Sequence, residues 1–275
     1  MVYPLIYHNF YVNMFNMITG ICIQFQDGDW RHPTRIARKL RKPAYLTGKL
    51  NKYWNKRHLL WQRYDEGILM DEESWYSVTP ESVARSIAER CRCELIVDGF
   101  CGVGGNTIQF ARTCERVIAI DIDPEKIRQA RNNARVYGVD DRIEFIVGDF
   151  FKIVPNFPTA NVVFLSPPWG GPEYCTEETY DIQSMIPMDG VKIFNAAKEI
   201  TEDIAYYVPR NVDTNQMASL ARPGGQVQLQ KNILGGRPQA ITAYYGNLCV
   251  KASPLLPLPI NTDTFSAFGK KYAFL

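Results

Sequence analysis

The chain has 275 residues, 46% of them hydrophobic, which suffices for one large hydrophobic core or for one domain with an extension. The formal net charge is only +2, which excludes a uniformly basic or acidic surface as the basis of partner binding. Seven cysteines without a C-x-x-C pair, and three histidines confined to the first 58 residues, predict no metal site and a reducing compartment.

The first 26 residues carry no Lys, Arg, Asp or Glu and are rich in aromatic side chains. A signal peptide needs a basic start and a compact apolar stretch, and a membrane span needs ~20 mostly apolar residues. Polar residues interrupt this segment at His8, Asn9, Asn13 and Asn16. We therefore expect residues 1–29 to form a leader of unknown role, and we predict no association with a membrane.

Residues 30–64 combine basic and aromatic side chains. They contain eleven Lys or Arg and no Asp or Glu, so the rest of the chain is net acidic. A basic segment joined to a near-neutral core indicates a polyanionic partner such as nucleic acid. A solvated tail or a nuclear-import signal at residues 35–42 explains the same charges and stays open. We predict a helix over residues 49–64 and an N-terminal extension over residues 30–78.

A regular alternation of helices and strands follows. Thr79 is suited to cap a helix and Pro80 to its first position, which predicts an amphipathic helix over residues 81–90. Apolar runs predict strands at 94–97, 117–120, 143–147, 162–165 and 204–208, and periodic patterns predict helices at 106–113, 124–137 and 191–200. Two further strands, 226–230 and 240–245, are predicted to form a hairpin.

Repeated strand–helix units predict an α/β fold, in which a mostly parallel sheet carries helices on both faces. The terminal hairpin is expected to add an antiparallel edge. We assign residues 79–250 to this main domain. Residues 251–275 contain prolines at 254, 257 and 259 and are expected to form an irregular C-terminal tail.

A glycine-rich loop follows the first predicted strand, at Asp98-Gly99-Phe100-Cys101-Gly102-Val103-Gly104-Gly105. Its glycines allow a tight turn and close approach to a ligand, and Asp121 is placed to accept ribose hydroxyls. A dinucleotide fingerprint would have Gly or Ala where Thr107 stands. S-adenosyl-L-methionine (AdoMet) has no phosphate and needs no such residue. Asp98 is then expected to face its amino group and Asp149 its adenine, with a helix cap or a turn residue as the alternative role of Asp149.

The motif Ser166-Pro167-Pro168-Trp169 ends another apolar strand. A hydroxyl can hydrogen-bond an amino group, prolines fix the backbone, and the indole offers a face for stacking. These features suit a flat nitrogenous base. Together with the glycine-rich loop, the motif predicts a methyltransferase that acts on a base.

Longer stretches around these motifs resemble the trimethylguanosine synthase family of RNA cap methyltransferases. The most specific is Phe164-Leu165-Ser166-Pro167-Pro168-Trp169-Gly170-Gly171-Pro172-Glu173-Tyr174. The others are Lys52-Tyr53-Trp54, Trp75-Tyr76-Ser77-Val78-Thr79-Pro80-Glu81, Phe100-Cys101-Gly102-Val103-Gly104-Gly105-Asn106 and Pro209-Arg210-Asn211. The resemblance covers residues 49–250.

The resemblance implies a class I AdoMet-dependent methyltransferase fold, Rossmann-like, with a mostly parallel seven-stranded sheet, an antiparallel edge hairpin and a small helical N-terminal extension. It implies successive methylation of the exocyclic 2-amino group of a 7-methylguanosine cap, giving 2,2,7-trimethylguanosine. The implied partners are capped small nuclear and small nucleolar RNAs, with RNP core proteins contacted through the basic segments. The implied location is the nucleus, including the nucleolus.

The resemblance also implies roles for individual residues. The catalytic candidates are Ser166 and Pro167, which orient the amino group, and Trp169, which stacks on the positively charged 7-methylguanine. The cofactor-binding candidates are Trp61, Thr79, Asp98, Gly102, Gly104, Asn106, Asp121 and Asp149, with Trp61 standing where the family has a Phe that covers the cofactor. The substrate-binding candidates are Lys52, Tyr174 and Arg210 for the triphosphate, and Ser77 and Trp169 for the base.

Three other functions stay open at this point. An amino-directed methyltransferase acting within tRNA, rRNA or DNA would share Asp98, Asp121 and Ser166 but would not need a charged guanine. A nicotinamide-dependent oxidoreductase would leave the Ser-Pro-Pro-Trp motif unexplained. A non-catalytic cap-binding protein would leave the glycine-rich loop and the acidic strand ends unexplained.

Overall fold

The computed structural model describes residues 42–44, 46–48, 51–157, 159–171, 177–184 and 188–249. The leader at 1–29 and the tail at 251–275 lie outside these residues. The strands are β1 Leu95–Asp98, β2 Arg116–Asp121, β3 Ile143–Val147, β4 Val162–Leu165, β5 Ile204–Pro209, β6 Val227–Leu234 and β7 Arg237–Tyr245. The helices are α1 Asn51–Trp54, α2 Arg57–Leu60, α3 Ser74–Ser77, α4 Glu81–Arg90, α5 Gly105–Thr113, α6 Pro124–Tyr137, α7 Phe150–Ile153, α8 Gly190–Lys198 and α9 Thr214–Ser219.

All seven strands form one sheet in the order β3-β2-β1-β4-β5-β7-β6. Strands β1 to β5 run parallel to one another, whereas β7 runs antiparallel to both β5 and β6. This confirms the predicted α/β fold with a mostly parallel seven-stranded sheet and an antiparallel edge hairpin. The bounds of β3, β4, α4 and α6 are those that the apolar pattern predicts.

The core lies on both faces of the sheet, because successive strand residues alternate between them. On one face, Ile96 of β1 and Phe164 of β4 pack in a cluster with Ile108 of α5. On the other face, Val97 and Leu165, the next residue in each strand, pack in a second cluster that includes residues of α8. Helices on both sides thus bury central strands that are apolar throughout.

The predicted continuous helix over 49–64 is wrong for the part that the structure describes. Two four-residue helices, α1 and α2, are separated by a turn in which the Lys56 amide donates to the Tyr53 carbonyl at 2.9 Å. Helix α1 buries none of its own residues. Its aromatic residues Tyr53 and Trp54 are only partly buried against the core, and so short a helix depends on such tertiary packing.

The described part of the extension is bound to the main domain through buried polar groups. Glu81 at the start of α4 accepts hydrogen bonds from the Gln62 amide at 2.7 Å and from the Tyr137 hydroxyl at 2.6 Å. Asn133 of α6 accepts from the Leu69 amide and donates to the Leu69 carbonyl, at 2.8 and 2.9 Å. The extension therefore packs as a continuation of the core. In the described residues, no helix combines the length and apolar character that crossing a membrane requires.

Candidate functional site

A cavity of about 390 Å³ opens beyond the carboxyl ends of β1, β2 and β4. Strands β1 and β4 are neighbours in the sheet, although the chain visits β2 and β3 on one side of β1 before it returns to β4 on the other. Ligands of open α/β sheets bind at such a switch point. The cavity brings together the two motifs that the sequence singles out, the glycine-rich loop and Ser166-Pro167-Pro168-Trp169.

The glycine-rich loop forms one wall of the cavity. Gly102 and Gly104 have φ of 53° and 91°, in the left-handed region that side chains disfavour. Gly105 begins α5, and a Cβ there would lie 2.7 Å from the Val78 side chain. The loop therefore keeps its tight turn, and its close packing against the chain before α4, only with glycine at these positions.

Asp121 ends β2 and lines the cavity beside this loop. Its carboxylate accepts hydrogen bonds from the Gly102 amide at 2.8 Å and from the Asp123 amide at 3.0 Å. Burial raises its pKa above the usual value, and these two amides oppose the shift. Asp121 thus holds the loop while presenting a carboxylate to the cavity.

Asp98 ends β1 and is fully buried beneath the loop. Its Oδ2 accepts a hydrogen bond from the Thr107 hydroxyl at 2.6 Å, and no donor among the described residues reaches its Oδ1. Burial raises the pKa of Asp98 to about 7. Asp98 is not among the residues that line the cavity, so the direct contact expected with an amino group is absent from this geometry.

Thr79 and Asn106 are in contact at the start of α5, the helix that follows the glycine-rich loop. The Asn106 amide donates to the Thr79 hydroxyl at 2.9 Å, both residues line the cavity, and the buried Asn106 Oδ1 has no donor among the described residues. The predicted cap at Thr79 is wrong. Pro80 occupies the cap position with ψ of 137°, so the helix begins at Glu81 and the Thr79 side chain turns to Asn106 instead.

Asp149 performs the alternative role that the sequence left open and also lines the cavity. Its side chain caps α7 by accepting from the Phe151 amide at 3.0 Å.

Across the cavity, the Ser166 hydroxyl donates to the Phe100 carbonyl at 3.3 Å and links the Ser166-Pro167-Pro168-Trp169 motif to the glycine-rich loop. The next residue, Pro167, is buried and also lines the cavity.

Trp169 lies half-buried at the cavity wall, with its ring stacked on Tyr207 of β5. The ring centroids are 5.3 Å apart and the ring planes are inclined by 28°. The Tyr180 hydroxyl donates to the Trp169 carbonyl at 3.2 Å. Gly170 and Gly171 follow with φ of 82° and 86°, so neither helix nor strand geometry fixes this turn.

A basic side chain that the sequence did not single out, Lys126, also lines the cavity. Its ammonium lies 2.8 Å from Asp71 and 3.2 Å from Glu73, and donates to the Ser74 hydroxyl at 3.0 Å. These contacts attach helix α3 to α6. Helix α3 ends at Ser77, which lines the same cavity.

The cofactor role expected of Trp61 requires correction. Trp61 is 1% exposed and absent from the described residues that line the cavity. Its indole N–H donates to the Met70 sulfur at 3.1 Å, and its ring packs on Tyr137 with centroids 5.9 Å apart. Trp61 is aromatic, like the family residue at this position, but its ring is packed in the core.

Two of the expected triphosphate ligands, Lys52 and Arg210, are not among the described residues that line the cavity. Lys52 is exposed, with its ammonium 5.0 Å from the centroid of Tyr53, and Tyr53 itself lines the cavity. Arg210 is exposed at the end of β5, the strand that carries Tyr207. Tyr174 lies outside the described residues.

The residues present fit an adenosyl cofactor better than a metal ion. Asn106 Oδ1 is a buried acceptor at the cavity without a donor among the described residues, and Asp121 adds a carboxylate at the cavity wall. An amino group and ribose hydroxyls are the donors that such acceptors suit. The described part of the chain holds no group of three or more His, Cys, Asp or Glu suited to a metal ion.

Several residues that line the cavity were not among the predicted site residues, namely Phe100 of the glycine-rich loop, Lys126, Phe150, Met188 and Tyr207. Tyr207 lies two residues before Pro209-Arg210, so its strand assignment would have pointed to it. Lys126 and Met188 carry no local signal, because only the tertiary fold brings the start of α6 and the turn before α8 to the cavity.

Comparison with known proteins gives a consistent result. The family model for RNA cap guanine-N2 methyltransferases matches residues 93–248. Trimethylguanosine synthase of Schizosaccharomyces pombe is 40% identical over 205 residues, 71% of this chain and 85% of that protein. Trimethylguanosine synthase of Saccharomyces cerevisiae is 40% identical over 186 residues, 64% of this chain and 59% of that protein.

Solved structures support the fold. A crystal structure of a Porphyromonas gingivalis protein assigned to the methyltransferases matches with a TM-score of 0.57 and 13% identity. The match covers 72% of this chain and 48% of that one. At this identity the likeness concerns the fold alone, which is that of a class I methyltransferase.

Proposed function

This chain belongs to the RNA cap guanine-N2 methyltransferase family, and we propose that it converts a 7-methylguanosine cap to 2,2,7-trimethylguanosine. The match to the family model over residues 93–248 carries the assignment. The cavity supports it, because one opening is lined by both the glycine-rich loop and the stacked Trp169. A reaction that transfers a methyl group from a nucleoside-bearing donor to a purine needs a surface for each of them, side by side.

Trp169 is proposed to select the charged base. A guanine methylated at N7 carries a positive charge, and stacking it on an indole gains roughly 0.5–2 kcal/mol from cation–π attraction. A neutral guanine receives stacking alone. Ser77, at the end of α3 on the cavity wall, is proposed to lie near the other face of the base.

Ser166 and Pro167 are proposed to orient the 2-amino group. This amine is a weak nucleophile, because its lone pair is delocalised into the purine ring. Neither a serine hydroxyl nor a proline carbonyl is a strong base, so their contribution is alignment, which can supply ~7–11 kcal/mol. The proton then leaves to water after transfer, and replacing Ser166 is expected to cost less than replacing Trp169.

The family and fold imply AdoMet as methyl donor, and AdoMet supplies a methyl group activated by a positively charged sulfur. We propose that Asp121 accepts hydrogen bonds from a ribose, that Asp149 lies near the adenine, and that Asn106 and Thr79 line the same subsite. Gly102 and Gly104 shape the wall. Asp98 is proposed to act from beneath the loop, where its charge favours a cationic amino group above it.

The cap triphosphate and the RNA backbone are negatively charged, so we expect basic side chains to bind them. Lys52 and Arg210 are exposed on the elements that carry Tyr53 and Tyr207 to the cavity wall. We propose that both reach the cap triphosphate and that Tyr174 assists. The capped substrates are proposed to be small nuclear and small nucleolar RNAs, with RNP core proteins as partners through the basic segments. The proposed location is the nucleus, including the nucleolus.

The experiment uses two transcripts of one sequence, with a 7-methylguanosine cap or with a 5′-triphosphate, and AdoMet labelled in the methyl group. We expect label only on the capped transcript, recovered after nuclease digestion in guanosine carrying two and three methyl groups. Label in the body of the uncapped transcript would contradict the proposal and favour a methyltransferase acting within RNA. Calorimetry with AdoMet and NAD side by side tests the cofactor, and only AdoMet is expected to bind.

A further inference from the structure

Tyr207 is an aromatic residue at the cavity that the sequence motifs do not include. It is 5% exposed and lines the cavity from strand β5. The residue before it in β5, Tyr206, is paired with Leu165 of β4, so Tyr207 runs alongside the start of the Ser166-Pro167-Pro168-Trp169 turn. The sheet register thus determines which residue supports this turn.

Trp169 lies in a turn outside the helices and strands, and its indole packs against the core on both faces of the sheet. Its carbonyl is held by the Tyr180 hydroxyl at 3.2 Å, but this bond fixes the backbone and not the ring plane. Two glycines with positive φ follow it. The stack on Tyr207, with centroids 5.3 Å apart and planes inclined by 28°, is a face-to-face contact that constrains the plane of the indole.

We propose that Tyr207 is a specificity-determining residue, which holds the Trp169 ring in the plane that a positively charged purine stacks on. The inference rests on the proposed function. Cation–π attraction requires the cation to lie over the ring face, so it depends on ring orientation. A ring already fixed in its bound orientation loses less conformational entropy on binding than a ring free to rotate. Removal of Tyr207 should therefore weaken binding of the charged base more than binding of a neutral one.

A purely structural role predicts something different. The Tyr207 ring also packs near Phe164 in the core, with centroids 6.5 Å apart, so any truncation costs stability. Loss of stability alone lowers the affinity for charged and neutral bases by the same factor. The ratio of the two affinities therefore separates a specificity role from a structural one.

Tyr206 offers a matched control on the same strand. It is fully buried, points to the opposite face of the sheet and stacks on Phe194 with planes inclined by 12° and centroids 6.3 Å apart. It is absent from the described residues that line the cavity. Replacing it removes a stacked tyrosine of similar burial without touching Trp169.

The experiment measures the affinity of full-length protein, saturated with AdoMet, for 7-methylguanosine diphosphate and for guanosine diphosphate. We expect Y207L to lower the preference for the methylated nucleotide roughly 3- to 10-fold, the range for loss of a stacked aromatic pair. Y207F keeps the ring and is expected to stay within about 2-fold of the unmodified protein, as is Y206L. Y207M keeps the apolar volume and replaces Y207L in the comparison if the latter does not fold.

The outcomes separate the inference from the proposed function. A preference in the unmodified protein that persists within about 2-fold in Y207L or Y207M would overturn the inference alone. Equal loss of preference in Y207L and Y206L would also overturn it, because the effect would then not depend on Trp169. An unmodified protein that shows no preference contradicts the proposed function, and the inference fails with it.

Discussion

Asp121 and Asp98 end neighbouring strands at the same edge of the sheet but have different surroundings. Asp121 is partly exposed in the cavity and accepts two backbone amides. Asp98 is fully buried behind the glycine-rich loop and accepts the Thr107 hydroxyl. Asp121 is therefore suited to contact a ligand directly, whereas Asp98 is suited to act on the glycine-rich loop and its surroundings from beneath.

Asp121→Ala is expected to weaken AdoMet binding roughly 10- to 100-fold, the range for loss of a hydrogen bond to a charged group. Isothermal calorimetry measures this directly. D213A is the matched control, because Asp213 also accepts a backbone amide, at 2.8 Å from Asn215, but is absent from the described cavity wall. Undiminished affinity in D121A, or equal loss in both variants, would count against the assigned role.

The pKa of Asp98 makes a prediction about pH. Burial raises it to about 7 in the folded protein, against roughly 3.9 for an unfolded chain. The folded state therefore binds the proton more tightly, and Asp98 lowers the stability progressively as the pH rises from about 4 to about 7. Denaturation in urea at several pH values should give a flatter profile for D98N over this window. If the stability of D98N and of the unmodified protein changed with pH in the same way, Asp98 would not be the buried carboxyl that titrates in this range.

At the scale of elements, the short helix α3 places a side chain at the cavity wall. Helix α3 has four residues, and its last, Ser77, lines the cavity. So short a helix has little stability of its own and depends on tertiary contacts. The contacts of Lys126 with Asp71, Glu73 and Ser74 supply them at the start of α3.

Lys126→Met is expected to destabilise the protein by about 1–3 kcal/mol, less than the loss of a fully buried pair because Asp71 and Glu73 are partly exposed. Denaturation in urea measures it. R128M is the control, because the Arg128–Glu125 pair lies on the same helix but is exposed, and its loss should cost under about 1 kcal/mol. Since α3 carries Ser77, K126M should also weaken binding of the capped nucleotide. Equal stability of K126M and R128M would contradict this account of α3.

At the scale of the whole molecule, the sequence predicts the sheet and the two motifs, because both depend on local patterns. The apolar runs at β3 and β4 and the capped helix at α6 have the predicted bounds, since burial of central strands requires continuous apolar sequence. The positions of Asp121 and Ser166 at the cavity follow from this, because parallel strands end at one edge.

Features that depend on tertiary contact were not predictable in the same way. Trp61 has the residue type expected at a cofactor site, but its ring packs on Tyr137 in the core. Lys126 reaches the cavity only through helix packing, which no local pattern records. The strand of Tyr207 was predictable, but its contact with Trp169 depends on the sheet register. In the described part of residues 49–64, the predicted helix divides into α1 and α2 at the turn closed by the Lys56 amide and the Tyr53 carbonyl.

The most direct measurement of the central claim is mass spectrometry of two nucleotides after incubation with the protein and AdoMet. We expect 7-methylguanosine diphosphate to gain first one and then a second methyl group, while guanosine diphosphate stays unchanged. Methylation of both nucleotides to the same extent would contradict selection of a charged ring by Trp169. No methylation of either would contradict assignment of the chain as a cap guanine-N2 methyltransferase.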